Sequence, residues 1–139
     1  MRVRKCLTKR NLLRFIKKTK KEYINAEPAY IAASTFIEKF PPENYDYRWT
    51  FEFKELPHPG TKPKCSHINL RNYQYRLMIM CYFDSKKKEI WYTVKWNPNI
   101  DILIGYEPVM RSCNVDEIIN FIIEKKYEKG NKETIIGES

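Results

Sequence analysis

The spacing of apolar residues changes twice along this 139-residue chain. Up to residue 40 they recur every three to four positions, from there to residue 96 every second position, and after Asn114 every three to four again. A period near 3.6 marks one face of a helix and a period of two marks one face of a strand, so the pattern predicts helices at both ends and a sheet between. In the first stretch Leu12, Leu13, Phe15, Ile16, Thr19 and Tyr23 share a face, and Thr8 can cap a helix over 9–24. Pro28 suits a first turn, and Ala29, Ala33, Phe36, Ile37 and Phe40 carry a second helix to Pro41-Pro42, where it must stop.

Trp49, Phe51 and Phe53 then alternate with Arg48, Thr50, Glu52 and Lys54 in a first strand ending near Leu56. Pro57, Pro59, Gly60 and Pro63 make a rigid loop rather than a domain linker, because strand pattern resumes straight after it. Ile68 and Leu70 start a second strand. Tyr73, Tyr75, Leu77, Ile79, Cys81 and Phe83 form a third in the opposite phase, which requires a turn or bulge near Arg71-Asn72. After a hairpin loop at 84–88, Ile90, Tyr92, Val94 and Trp96 form a fourth strand, and a short fifth is expected over Ile100 to Tyr106. Asn114 followed by Glu117 reads as a capping box for a last helix, whose stripe is Val115, Ile118, Ile119 and Ile122 and which should run to about Lys129 before Gly130. The order α-α-β-β-β-β-(β)-α predicts one α+β domain over residues 1–130: two N-terminal helices, a four- to five-stranded antiparallel meander sheet and one C-terminal helix, all helices on one face. Residues 131–139 are expected to form a flexible tail.

Charge adds what periodicity cannot. The net charge is +9, yet ten of the 26 basic residues precede the first acid, Glu22, and the rest of the chain holds one more acid than base. Such a basic block on a neutral body attracts polyanions. A second region, Lys62, Lys64, Arg71, Arg76, Lys86, Lys87, Lys88, Lys95 and Arg111, is interleaved with Tyr and Trp. Strand parity puts Tyr82 and Trp91 opposite the core face, where rings can stack on unpaired bases. The expectation is a small non-enzymatic binding protein that engages nucleic acid or a nucleoprotein complex. Its contact residues would be Arg10, Arg14, Lys17, Lys18 and Lys21 on the basic helix, with Arg76, Lys86, Lys87, Lys88, Tyr82 and Trp91 on the sheet side.

Other readings compete. Residues Glu22 to Glu55 carry seven acids against three bases, which suits a phage or mobile-element inhibitor or adaptor that occupies a nuclease or defence complex, in the manner of an anti-CRISPR protein. Abundant Lys, Ile, Asn and Tyr beside few Ala and Gly point to AT-rich coding, which fits that setting. Asp46, Glu52 and Lys54 stand as D-x5-E-x-K, which looks like the signature of metal-dependent nucleases, with carboxylates for Mg²⁺ and a lysine for the attacking water. His58, Cys65 and His67 offer zinc-type donors at a spacing that matches no metal motif, and Cys65 could act as a nucleophile only beside a positioned imidazole. The embedded α-β-β-β-α order resembles double-stranded-RNA-binding domains in architecture alone. That family places basic residues at the start of its last helix, where Asp116 and Glu117 stand here.

No cofactor or metal is expected, since no Gly-rich loop or paired Cys ligands occur. The four cysteines are far apart, and no signal peptide or bilayer-length apolar run is seen, so a reducing, cytoplasmic setting is expected. An organelle transit peptide and a membrane-surface helix remain alternative readings of the basic amphipathic N-terminus.

Overall fold

The computed structural model describes residues 9–41, 49–57, 59–60, 62–97 and 105–127. Within them run α1 (Lys9–Lys20), α2 (Glu27–Lys39), β1 (Thr50–Leu56), β2 (Lys64–Asn72), β3 (Leu77–Asp84), β4 (Glu89–Trp96), β5 (Glu107–Ser112) and α3 (Val115–Lys125). The strands form one sheet in chain order, β1-β2-β3-β4-β5, and every neighbouring pair is antiparallel. This is the α+β meander that the spacing predicts.

Register decides which way each side chain faces. Phe53, Ile68, Cys81, Tyr92 and Ser112 stand in one cross-strand row, and Phe51, Leu70, Ile79, Val94 and Met110 in the next. All but Met110 are buried, under a helix layer in which α2 touches β2, β3 and β4. Ala29, Ala32 and Ala33 let the α2 backbone come close, Phe36 and Phe40 meet Trp49 edge-on, and the Tyr92 hydroxyl donates to the Ala32 carbonyl at 3.1 Å. Against α2 and β1 lies α1, anchored by the fully buried Leu12 and Ile16. Its basic side chains are therefore the outer face of a packed helix.

Element boundaries differ from the sequence reading for local reasons. The first helix stops at Lys20 instead of 24 because the Ile24 backbone pairs with the start of β2: Ile24 N–H donates to Pro63 O, and Cys65 N–H donates to Ile24 O. The same contact starts β2 at Lys64, four residues before Ile68. Phe40 takes the extended conformation that a residue before proline requires, which ends α2. Tyr73 and Tyr75 lie in the β2–β3 turn, not in the third strand, and Arg76 closes that turn with a left-handed φ of 55°. The fifth strand is Glu107–Ser112 rather than 100–106. Residues Gly105 and Tyr106 precede it outside the strand, and 98–104 lie outside the described residues.

At α3 the Asn114 side chain accepts from the Asp116 and Glu117 N–H groups. The box closes through a relay: the Ser112 hydroxyl donates to Glu117 and accepts from Asn114 N–H. The helix ends at Lys125, short of 129, because Lys126 adopts a left-handed φ of 52°. The Thr8 cap, Gly130 and the tail 131–139 lie outside the described residues.

If α1 is packed as described, Leu12→Ala should lower the unfolding free energy by about 2–5 kcal/mol, whereas Arg14→Ala should change it by less than about 0.5 kcal/mol. Urea denaturation checks this. Equal, small effects of the two substitutions would mean that α1 is a detached arm.

Candidate nucleic-acid interface

Helix geometry gathers the basic residues of α1 into a stripe. Arg10, Arg14, Lys17 and Lys18 project within an arc of about 100°, opposite Leu12 and Ile16, and Lys21 follows in the turn just after the helix. All five are exposed, and α1 holds no acid. Its flanking lysines are engaged: Lys9 donates to the Glu38 carbonyl, and Lys20 pairs with Glu27 at 2.7 Å while lying over the Tyr30 ring. Among the described residues no carboxylate pairs with the five of the stripe.

The stripe meets other lysines at one end of the sheet. Lys62 Nζ donates to the Lys21 carbonyl at 2.9 Å, next to the point where Ile24 pairs with Lys64. The antiparallel register places the start of β2 beside the β3–β4 turn, so Lys62 and Lys64 share that end with Lys86, Lys87 and Lys88. Among the described residues Glu22, Glu55 and Glu89 are the exposed acids there, against six lysines including Lys21. The fourth acid, Asp84, is spent inside the hairpin: it accepts from the Lys86 and Lys87 N–H groups and pairs with Arg111 at 3.5 Å. Those bonds and charges hold its carboxyl below the ordinary value.

On the sheet face away from the helices, three cross-strand rows lie side by side. They are Thr50, Arg71, Met78 and Lys95; then Glu52, Asn69, Met80, Thr93 and Arg111; then Lys54, His67, Tyr82 and Trp91. Tyr82 and Trp91 thus occupy the face that parity predicts, but neither ring is bare. Arg111 donates from Nε to the Tyr82 hydroxyl at 2.7 Å and lies 4.5 Å from the Trp91 ring centre, while Lys87 Nζ lies 4.2 Å from the same centre. Arg76 is not part of this group. It sits in the opposite turn, about 24 Å away along the length of β3, near Tyr106, whose ring lies 5.7 Å from Arg71.

The alternative chemistries are placed as follows. Glu52 and Lys54 do share a face, but Glu52 pairs with Arg71 at 3.4 Å and with Lys54 at 3.8 Å. Asp46 and His58 lie outside the described residues, among which no cluster of metal-type ligands occurs. Cys65 points into the core, where burial raises its thiol pKa to about 11, and His67 points to the other face, held neutral by burial and by Lys54 and Lys95. Burial raises the Cys81 thiol further, so neither buried thiol is a ready nucleophile.

Lys62, Lys64 and Arg111 stand beside the candidate contacts, although the sequence places them only in the second basic region and not among the expected contact residues. The loop that brings the two lysines to α1 has no periodic signal, and Arg111 reaches Tyr82 and Trp91 from the strand Glu107–Ser112, which no alternation of apolar residues marks. No helix among the described residues is long and apolar enough to cross a membrane. No protein-family model, no curated protein and no solved structure matches the chain.

The Asp84 carboxyl should titrate below 3.8 by NMR and move upward in Arg111→Ala. Because the folded value is the lower one, stability lost in Asp84→Ala should be full above about pH 4 and shrink as pH falls through the folded value. A gap that widens in acid would contradict this arrangement.

Proposed function

We propose that this chain is a non-enzymatic nucleic-acid-binding protein that grips phosphates through the α1 stripe. The observation that carries the reading is the set of five exposed cations, four on one side of an anchored helix and Lys21 just after it, none of them paired with a carboxylate among the described residues. A face that served only solubility would intersperse both signs, as the rest of this surface does. Arg and Lys alone supply charge and direct hydrogen bonds to phosphate oxygens, so binding through this stripe is independent of base sequence. Anchoring by Leu12 and Ile16 fixes the spacing of the charges before the ligand arrives, which lowers the ordering cost of binding.

Each phosphate neutralised releases counterions, so four or five contacts give a slope of log affinity against log salt of about −3 to −4. Anisotropy of a labelled oligonucleotide should show about a 100-fold loss of affinity between 50 and 200 mM salt. Replacing Arg10, Arg14, Lys17 and Lys18 together by alanine should remove most of that slope while leaving the unfolding transition within about 1 kcal/mol of wild type. Absence of binding by the wild type at about 50 mM salt, where electrostatic association is strongest, overturns the proposal.

A further inference from the structure

We infer that the nucleic acid is single-stranded, and that Trp91 stacks on one of its unpaired bases by exchanging its Lys87 cap for the base. The inference rests on the reading of α1 as a phosphate-binding helix and names the form of nucleic acid that the whole basic surface accepts.

The first argument is the path of the charge. The stripe lies on the outside of the helix layer, whereas Trp91 lies on the opposite face of the sheet, which none of the described helices covers. Lys21, Lys62, Lys64 and the hairpin lysines Lys86, Lys87 and Lys88 connect the two around the sheet end. That track turns back on itself within the thickness of a helix packed on a sheet, about 10 Å between layers. A duplex with a persistence length of about 50 nm cannot follow such a turn and could touch only one layer. A single strand can round the end, because it bends freely at each nucleotide.

The second argument is the state of the Trp91 ring. Arg111 lies 4.5 Å from the indole centre and is held there by the Tyr82 hydroxyl at 2.7 Å and by Asp84 at 3.5 Å. Lys87 is different: it stands at the exposed hairpin tip, its ammonium lies over the ring at 4.2 Å and feels the Asp84 charge, and no hydrogen bond or ion pair among the described residues holds that ammonium in place. Base stacking on an aromatic side chain is worth more than an exposed cation–π contact. An arriving base therefore displaces Lys87 from the ring, and the freed ammonium reaches the adjoining phosphate. Attraction to phosphate and stacking are gained in one movement, while Arg111 stays beside the indole.

The test compares an oligothymidylate of about 15 nucleotides, a duplex of equal phosphate number, and heparin, each against wild type, Trp91→Ala, Trp91→Phe and the α1 alanine variant. Wild type should prefer the single strand to the duplex about 10-fold, and Trp91→Ala should erase that preference without weakening heparin binding. Trp91→Phe should retain most of the preference, since a smaller ring still stacks. Fluorescence lost between wild type and Trp91→Phe should be quenched by the single strand and not by heparin. Equal affinity for single strand and duplex, or a Trp91→Ala defect of the same size for all three probes, overturns the inference. Loss of all three ligands in the α1 variant supports the parent reading. Full binding by that variant, with Trp91 still quenched, overturns the parent reading and leaves stacking intact.

Discussion

The seat of α2 across the middle of the sheet determines where everything else can go. Its alanines lie close against β2, β3 and β4, and the Tyr92 hydroxyl ties the Ala32 carbonyl to the sheet. With α2 in the centre, α1 and α3 can bury their apolar stripes only on its two sides, so all three helices share one layer. Two consequences follow from that single constraint. The basic side of α1 must face outward, and the far side of the sheet must satisfy its polar groups without a cover from these helices. Among the described residues it does so in part, and laterally: Glu52 with Arg71 and Lys54, Arg111 with Asp84 and Tyr82, and cations over the rings of Tyr106 and Trp91, while Asn69 Oδ1 and Trp91 Nε1 are buried without a partner. Thr50, Asn69, Met78 and Thr93 are buried on that face, over which no helix among the described residues packs.

Period was a sufficient guide wherever burial on one side was the governing force. Phe51 and Phe53, Leu77, Ile79 and Cys81, and Tyr92 and Val94 all face the helices as their alternation requires, and Trp91 and Tyr82 face away for the same reason. Period failed where a backbone contact decided the outcome. Nothing in the spacing of Leu12 to Tyr23 shows that Ile24 will leave the helix to pair with Lys64, and nothing in Tyr73 and Tyr75 distinguishes an alternating strand from a turn closed by a left-handed Arg76. Those same contacts built the candidate site. The Ile24–Lys64 pairing joins α1 to the hairpin lysines, and the long β3 strand separates Arg76 from them.

Composition recorded an excess of cations near the N-terminus but not its geometry. A detached arm with the same residues would supply charge alone, paying the entropy of ordering with each ligand it met. Packing converts those cations into a stripe with fixed spacing, continuous around the sheet end with the hairpin and Trp91. Arg111 shows the same principle on a smaller scale: a guanidinium bonded to Tyr82 and paired with Asp84 stands against the indole on which Lys87 also rests.

The most direct test of this account is a map of NMR amide and indole shifts as an unstructured oligonucleotide is added at low salt. Shifts should fall on the outer side of α1 from Arg10 to Lys21, on Lys62 and Lys64, on the hairpin at Lys86 to Lys88, and on the Trp91 indole, leaving α3 unmoved. Shifts centred on α3 or on the β2–β3 turn around Arg76, with α1 and Trp91 unchanged, would contradict it.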